Sequence, residues 1–368
     1  MSLVMKPVIS SLGRAITLAM ALPGALPVAF PVALAIAMPA RAETTPAPMV
    51  RPDGVLPYPA PPLLFNPATA ANAALLAYGL PAHPPRLANG ASSNPALDHA
   101  IAAMRTYIPA RLRVVMRRHG PARGLVSHAA AQYSTNWAGQ VLENTQGSWG
   151  SGSYAEIMAQ WVISGVIQGH ASCPGTDYSS TWVGIDGYDG SPDVLQSGTE
   201  ADAVCQGGTQ SQNIYAWVEW YPGNTNELYN FPVTVGGAVF VVLQANGPGA
   251  GSVTLVNLQT GAYTSLGIAP PAGTVLRGNT AEWVVERPAL DNGAVLANLA
   301  DFAEIPMESE IAYLQNQLGS PNYSVPGAPT PGQTSIDLTM ITPAGTALAT
   351  TVPQGVSAQL MQVTPATQ

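Results

Sequence analysis

The sequence predicts an all-β fold, a sandwich or jelly roll, over the part of the chain that begins near Tyr133. Short stretches rich in Val, Ile, Trp and Tyr recur from there onward. Turns rich in Gly and Pro separate them, and the 368 residues contain 36 Gly and 35 Pro. Many short strands with such turns between them are typical of two antiparallel sheets packed face to face.

The candidate strands share a high content of β-branched and aromatic residues and end near Gly, Pro or Asn. They are Asn136–Leu142, Tyr154–Ile163, Ser180–Ile185, Val194–Ser197, Ile214–Trp220, Val239–Ala245, Ser252–Asn257, Ala262–Leu266, Glu282–Val285, Ala300–Ile305 and Ile336–Ile341, with Ala358–Val363 as a candidate final strand. One stretch between late strands, Met307–Leu318, is predicted to be a helical insertion.

The first 42 residues have the three parts of a secretory signal peptide. Lys6 and Arg14 form a basic region, an apolar run extends from Ala15 to Met38, and Ala40-Arg41-Ala42 fits a cleavage site. Three prolines interrupt the apolar run and a fourth follows it directly, which disfavours a membrane-spanning helix. The mature protein is therefore expected to be secreted and extracellular, without membrane association.

Charge divides the chain near Tyr133. Of the 13 Lys and Arg residues, 11 precede it, whereas 18 of the 21 Asp and Glu residues follow it, so the formal charge is +8 before and −16 after. Near pH 3 most carboxylates would be protonated, and almost no positive charge would remain in the second part to repel itself. This composition predicts a protein that works in acid, with ordinary acidic drift in a secreted protein as the alternative.

Residues 43–130 are predicted to be a basic, Pro- and Ala-rich propeptide that precedes a β domain over residues 131–368. Residues 43–80 indicate an extended, mobile segment, and residues 95–118 indicate one or two short helices broken near Pro109. Six arginines cluster between Arg105 and Arg123, but no aromatic stacking platform for nucleic acid accompanies them. Attraction to the acidic domain, weakened as carboxylates are protonated, makes the segment a candidate intramolecular inhibitor of a zymogen.

Two cysteines, Cys173 and Cys205, fit one disulfide in an oxidising compartment. The bridge would close a loop around the stretch that contains Trp182 and Gln196. By the loop-closure argument it would contribute about 3 to 4 kcal/mol to the free energy of unfolding.

Few common catalytic groups occur in the candidate domain. Only His170 follows Tyr133 among the histidines, so a Ser-His-Asp triad or a His-based zinc site has little to draw on. No glycine-rich phosphate loop ending in Lys occurs in the sequence. Carboxylates, amides and aromatic rings therefore remain as the available chemistry, and no cofactor is assigned.

Three predicted strands carry acids and aromatic rings together. Because side chains alternate faces along a strand, the sets that share a face are Trp182, Gly184 and Asp186; Trp217, Glu219 and Tyr221; and Glu282 and Glu286. Such faces indicate a lined cleft, although a solvated outer face fits each strand taken alone. Glu282 and Glu286 are about 13 Å apart along their strand, so a working partner must come from another strand. Gln196, among apolar neighbours, is a candidate partner, with a structural hydrogen bond at a sheet edge as the alternative.

Several segments resemble the eqolisin family of glutamic peptidases in order and spacing. They are YSTNWAG at Tyr133–Gly139, WVGIDG, LQSG, WVEWYP, NLQTG and NTAEWVVE. The resemblance covers roughly Tyr133 to Ile305 and implies two packed, curved antiparallel sheets, related in shape to legume lectins such as concanavalin A. It also implies secretion, a propeptide, activity in acid and independence of metal ions.

The resemblance implies catalytic roles for Gln196 and Glu286, and not for Glu282. Glu286 would take a proton from the attacking water, and the side-chain amide of Gln196 would stabilise the oxyanion. The family's substrate-cleft positions fall on Trp182, Asp186, Trp217, Glu219 and Tyr221. Glu200 and Arg287-Pro288 depart from the family pattern, at positions expected to influence subsite preference. The expected protein is a monomeric acid endopeptidase that acts on polypeptide substrates.

Two other functions fit the same cleft. A jelly-roll glycoside hydrolase could use Glu219 and Glu286 as acid and nucleophile if their carboxyl groups lay about 5 Å apart. A non-catalytic carbohydrate-binding module could use Trp182, Trp217 and Tyr221 as a stacking platform, although a binding module has little need of a masking segment.

Overall fold

The computed structural model describes residues 54–128, 131–144, 148–169, 172–188, 190–353 and 360–365. The predicted signal peptide and residues 43–53 of the predicted propeptide lie outside this range, as does His170. No helix in the described part of the chain is long and apolar enough to cross a membrane.

Strands make up most of the described chain. In chain order they are β1 (Val55–Pro57), β2 (Thr106–Tyr107), β3 (Leu112–Val115), β4 (Val126–His128), β5 (Ala131–Ser134), β6 (Trp137–Glu143), β7 (Tyr154–Val162), β8 (Val166–Ile167), β9 (Gly175–Ile185), β10 (Val194–Gln206), β11 (Thr209–Tyr221), β12 (Thr225–Leu228), β13 (Ala238–Ala245), β14 (Gly251–Asn257), β15 (Ala262–Ile268), β16 (Thr280–Glu286), β17 (Ala289–Leu290), β18 (Val295–Leu296), β19 (Asp301–Phe302), β20 (Ile305–Leu314), β21 (Thr334–Ile341), β22 (Ala347–Pro353) and β23 (Leu360–Pro365). Helices lie at α1 (Asn72–Ala77) and α2 (Pro95–Ala103), and short 3-10 turns at Pro67–Thr69, Asp291–Gly293 and Gln315–Gln317.

The strands form two antiparallel sheets packed as a sandwich, which confirms the predicted fold class. The front sheet has the order β3–β12–β11–β10–β9–β16–β6–β21. The back sheet has the order β23–β20–β7–β13–β14–β15. Strand β22 pairs with both β21 and β23, so the two sheets are continuous along one edge. Every candidate strand of the sequence overlaps an observed strand.

The main core lies between the two sheets. Trp283 and Val285 of the front sheet point into it and are fully buried, as is Trp161 of the back sheet. The indole N–H of Trp283 donates to the carbonyl oxygen of Met158 across the core at 2.9 Å. Because buried indoles are stable only when their N–H has an acceptor, this bond fixes how the front strand β16 sits against the back sheet.

A second core covers the outer face of the back sheet. It lies between the back sheet and residues 54–107, here called the N-terminal module. Strands β1 and β2 of this module both pair with β15 of the back sheet. Leu75, Leu97 and Ile101 of the module pack against Phe240 and other outward-facing side chains of the back sheet. Helix α2 begins cleanly because the side chain of Asn94 accepts from the backbone N–H of Leu97 and Pro occupies its first turn.

The N-terminal region differs from the sequence expectation in two respects. Residues 54–80 are not an extended, mobile segment, because β1 pairs with β15 of the back sheet and Leu75 of α1 is buried in the second core. Only residues 95–103 of the stretch 95–118 are helical. After them β2 pairs with β15 of the back sheet, and β3 pairs with β12 of the front sheet. Pairing with a sheet edge thus overrides the local helix pattern.

The predicted helix over Met307–Leu318 is wrong. Residues Ile305–Leu314 form strand β20, which pairs with β7 on one side and β23 on the other, and a single 3-10 turn follows it. A bulge with Ser309 at φ +59° shifts the register between Glu308 and Ile311. This extra residue breaks the two-residue alternation that would identify a strand in the sequence.

The predicted disulfide is confirmed. Cys173 and Cys205 are bonded, with their Cα atoms 5.2 Å apart. The bridge joins the start of β9 to the end of β10, which are neighbours in the front sheet.

Candidate active site

The side of the front sheet that faces away from the main core collects the polar residues predicted to act together. Every second side chain points away from the main core. Gln196 of β10 lies opposite Gly184 of β9, and Glu282 of β16 lies opposite the same glycine from the other side. Ser180, four residues before Gly184 on β9, lies opposite Glu200 of β10 on one side and Glu286 of β16 on the other. Gln196 and Glu286 therefore face the same side of the sheet, from strands separated by β9.

Glu286 is buried and held by two side-chain donors. Its Oε1 accepts from the side-chain amide of Asn136 at 3.1 Å, and its Oε2 accepts from the indole N–H of Trp182 at 3.0 Å. Burial raises the pKa of Glu286 to about 8, although the charge of His119 and the Asn136 hydrogen bond oppose this. The carboxyl group is thus fixed in orientation and neutral at pH 7.

A glycine lets β10 lie close to the backbone of β9, next to the residue whose indole orients Glu286. A Cβ atom on Gly198 would lie 2.1 Å from the backbone carbonyl oxygen of Thr181 and 2.5 Å from Cβ of Trp182. Any larger residue at this position would have to push the backbone of β9 at Thr181 and Trp182 away from β10, so the Gly of LQSG has a steric role beside the catalytic candidate Gln196.

Gln196 is fully buried and contacts the N-terminal region. Its amide N–H donates to the backbone carbonyl oxygen of His119. Its Oε1 has no hydrogen-bond partner among the described residues. A side-chain amide aimed at a peptide carbonyl is the arrangement that can stabilise an oxyanion.

The side chain of His119 fills the space between two glutamates. Its Nε2 lies 2.8 Å from Glu200 and its Nδ1 lies 3.1 Å from Glu219, and all three side chains are fully buried. The imidazole stacks on Trp217, with the ring centroids 3.8 Å apart and the planes at 7°. Burial alone would lower the pKa of His119, but the hydrogen bonds and charges of the two glutamates outweigh it and raise the pKa to about 10. His119 is therefore an imidazolium at neutral pH.

His119 belongs to a segment that crosses the cleft, here called the strap and comprising residues 112–123. The backbone of Arg118 exchanges two hydrogen bonds with Ala289, at 3.0 and 2.9 Å. Further along, Asn136 donates to the carbonyl oxygen of Pro121 at 3.2 Å, and the N–H of Ala122 donates to the carbonyl oxygen of Gly187 at 2.9 Å. The strap thus lies extended in the cleft and is hydrogen-bonded through its backbone.

Basic side chains of the strap contact acidic side chains of the front sheet. Arg113 forms a bidentate pair with Glu227, with a closest approach of 2.7 Å, and Arg117 lies 2.8 Å from Asp202. The predicted attraction between the basic segment and the acidic domain therefore takes the form of specific contacts.

The remaining predicted site residues have different surroundings. Both carboxylate oxygens of Asp186 accept backbone N–H groups of Arg277, Gly278 and Asn279, at 2.7 to 3.0 Å. Asp186 itself has φ +65°, and in this structure its carboxylate holds the chain at the start of β16. Tyr221 is partly buried, and its ring would lie 3.1 Å from a Cβ atom built on Gly120 of the strap.

Sequence reasoning missed three residues that contact the predicted pair or its neighbours. His119 was hidden among the arginines of the predicted propeptide, where its position in RRHGP was the only signal. Asn136 lies within the recognised motif YSTNWAG but had no role assigned to it. Glu200 was noted only as a departure from the family pattern, although it stands four residues after Gln196 on the same face.

In the described part of the chain, no group of three or more His, Cys, Asp or Glu side chains is placed to hold a metal ion. The chemistry that the site offers is proton transfer by a carboxyl group and hydrogen-bond donation by an amide.

Comparison with known proteins identifies the same region. The model of the Peptidase A4 family matches residues 135–352. Aspergillopepsin-2 of Aspergillus niger is 28% identical over 214 residues, which cover 54% of this chain and 69% of that protein. Scytalidopepsin B of Scytalidium lignicola is 28% identical over 178 residues, which cover 46% of this chain and 61% of that protein.

Among solved structures, scytalido-glutamic peptidase with a transition state analog inhibitor matches with a TM-score of 0.50 and 19% identity. The match covers 63% of this chain and 98% of that chain, and it shows the shared sandwich fold. Since the family model matches more than half of the residues, the chain belongs to the Peptidase A4 (eqolisin) family of peptide hydrolases.

Proposed function

We propose that the chain is a secreted acid endopeptidase in which Glu286 and Gln196 act on a peptide bond laid across the front sheet. The observation that carries the proposal is the strap. Gln196 donates to its His119 carbonyl oxygen, and Asn136, the partner of Glu286, donates to its Pro121 carbonyl oxygen. An extended peptide can therefore lie between the two candidate catalytic groups.

The reaction follows from these placements. Ionised Glu286 takes a proton from a water molecule, whose oxygen attacks the carbonyl carbon of the peptide. The amide N–H of Gln196 stabilises the negative oxygen of the tetrahedral intermediate. Glu286 then gives its proton to the leaving nitrogen as the C–N bond breaks, and the carboxyl group returns to its ionised form.

The strap-covered form is expected to be inactive for two reasons. The strap occupies the place of a substrate, and burial beneath it keeps Glu286 protonated below about pH 8. Removing the strap would admit water to the cleft and move the pKa of Glu286 back towards its ordinary value of 4.5. A hydrated Glu286 could then act as a base in weak acid.

Acid is also expected to weaken the hold of the strap. His119, Arg113 and Arg117 keep their positive charge in acid, whereas protonation of the acidic side chains that face them removes the attraction. The N-terminal module is not expected to loosen in acid, because its contacts with the back sheet are largely apolar. Inhibition is therefore assigned to the strap rather than to all of residues 43–130.

Hydrolysis of a denatured protein by the full chain, incubated between pH 2 and pH 7, tests the proposed function. Pepstatin and a chelator are included, and each variant is checked for folding by circular dichroism. We expect cleavage only in acid, insensitive to both inhibitors, and none with Glu286→Gln. Gln196→Ala should lose about 10²–10³ in rate, as when one oxyanion donor is removed.

The exposed Glu304→Gln serves as the matched control and should behave as the parent chain. Undiminished cleavage by Glu286→Gln, or no cleavage by a folded and processed parent chain, would contradict the proposal. Membership of a peptidase family disfavours the glycoside hydrolase and carbohydrate-binding interpretations.

A further inference from the structure

We infer that the cleft contains a subsite for a flat, cationic side chain, formed by Glu200, Glu219 and Trp217. This subsite would take the side chain of the substrate residue whose carbonyl group is attacked, so the inference rests on the proposed function. His, or Arg by the same chemistry, would be preferred at that position over an aliphatic residue.

The strap shows which substrate residue the subsite serves. The carbonyl oxygen of His119 receives the amide N–H of Gln196, and the imidazole of the same residue fills the space between the glutamates. The backbone N–H of His119 also donates to Oε2 of Glu219 at 3.0 Å. The subsite therefore lies on the N-terminal side of the bond that follows this carbonyl, which in the strap is the bond to Gly120.

The two glutamates select a cation. Both side chains are fully buried, and a buried carboxylate needs a positive or hydrogen-bonding partner to remain ionised. His119 supplies one N–H to each of them and holds the pKa of Glu200 below its ordinary range, against the effect of burial. An aliphatic side chain would fill the space and leave both carboxylates without this partner.

Trp217 selects a flat group. The parallel stacking of its ring on the imidazole leaves room for a planar side chain between the indole and the glutamates. A guanidinium is also planar and offers five donors. Oε1 of Glu219 accepts no hydrogen bond within the described residues and could take one of them.

A second positively charged side chain near the subsite, that of Arg117, also belongs to the strap. Arg117 lies beside Asp202, close enough for its charge to act on Glu200. Since Arg117 and His119 are both strap residues, release of the strap removes both positive charges and leaves the subsite negative for an incoming substrate.

The first test measures kcat/KM of the acid-processed full chain at pH 5. The substrates are fluorogenic peptides that differ only in the residue before Gly, which is His, Arg, Phe, Leu or Glu. We expect His and Arg to exceed Leu by about ten- to a hundredfold, as for hydrogen bonds to a charged group. The kcat/KM of the Phe peptide, whose side chain can only stack, should lie between that of the His and Arg peptides and that of the Leu peptide. The Glu peptide should have the lowest value. In Glu200→Gln the His-to-Leu ratio should fall by about tenfold.

The second test needs no activity and uses the intact chain carrying Glu286→Gln. Thermal melting at pH 6 is compared for His119→Arg, His119→Phe and His119→Leu. We expect His119→Arg to melt nearest the parent and His119→Leu to melt lowest, since it leaves two buried carboxylates without the cationic side chain between them.

The two tests separate the subsite from the proposed function. Cleavage of the His, Arg and Leu peptides with equal kcat/KM would overturn the subsite and leave the peptidase activity standing. No cleavage of any peptide, with the melting order as expected, would overturn the proposed function but support a cation-binding pocket. A His119→Leu variant as stable as His119→Arg would overturn the pocket.

Discussion

Replacing Glu156 by Gln should stabilise the folded chain above pH 7 and leave it nearly unchanged at pH 4. Glu156 lies in β7, is only 8% exposed, and accepts a hydrogen bond from the side-chain amide of Gln244 at 2.6 Å. It lines a cavity of about 250 Å³ between the N-terminal module and the back sheet. A Gln at this position keeps the shape and the acceptor oxygen, and it removes the ionisable proton.

The magnitude follows from the pKa of the carboxyl group. Burial raises the pKa of Glu156 from 4.5 to about 7, against the effect of the Gln244 hydrogen bond. Between these values the folded chain holds a proton that the unfolded chain has lost, so the free energy of unfolding decreases as the pH rises from 4.5 to 7. At 1.36 kcal/mol for each pH unit, the penalty reaches about 3 kcal/mol above pH 7. Water that enters the cavity would reduce this penalty, so about 3 kcal/mol is its upper limit.

Urea unfolding followed by tryptophan fluorescence at pH 4, 6 and 8 measures the effect. The Glu286→Gln background prevents self-cleavage, and the exposed Glu304→Gln controls for the loss of a carboxylate at the surface. The variant should gain free energy of unfolding relative to its parent as the pH rises. An equal difference at pH 4 and pH 8 would refute the assignment of a proton to buried Glu156.

Three further substitutions test separate parts of the fold. Replacing both Cys173 and Cys205 by Ser should lower the free energy of unfolding by about 3 to 4 kcal/mol, measured by urea unfolding, and the same loss in a reduced parent chain is the control. Gly198→Ala should push the backbone of β9 at Thr181 and Trp182 away from β10 and lower peptide hydrolysis at least tenfold, and an unchanged rate would contradict the steric role of this glycine. Ile101→Ala should cost about 2 to 4 kcal/mol in the full chain, whereas a cost below 1 kcal/mol would show that the N-terminal module adds little stability.

The strands of the sandwich could be predicted because their signal is local. Stretches such as TAEWVVE contain β-branched and aromatic residues between turn-forming residues. The burial of Trp283 towards the core and of Glu286 towards the cleft follows from the same alternation. Where a bulge disturbs the alternation, as at Ser309, the sequence pattern wrongly predicts a helix.

The Glu286 and Gln196 pair could be proposed from motifs, but its surroundings could not. Asn136 precedes Glu286 by 150 residues, and His119 precedes Glu219 by 100 residues. Strand pairing in the front sheet brings these residues together, and their spacing along the chain does not indicate this proximity. The sequence predicts only a general attraction between a basic and an acidic segment, and not which residues of the strap cover the cleft.

The sequence by itself determined the sandwich, the disulfide partners and the chemical groups available for catalysis. These depend on local patterns, on the two cysteines of the chain and on composition. Only the tertiary structure decided that His119 is placed between Glu200 and Glu219, with its carbonyl oxygen on Gln196. The physical reason is that burial and hydrogen bonding, which set the charge of these groups, arise from strands that are distant in sequence.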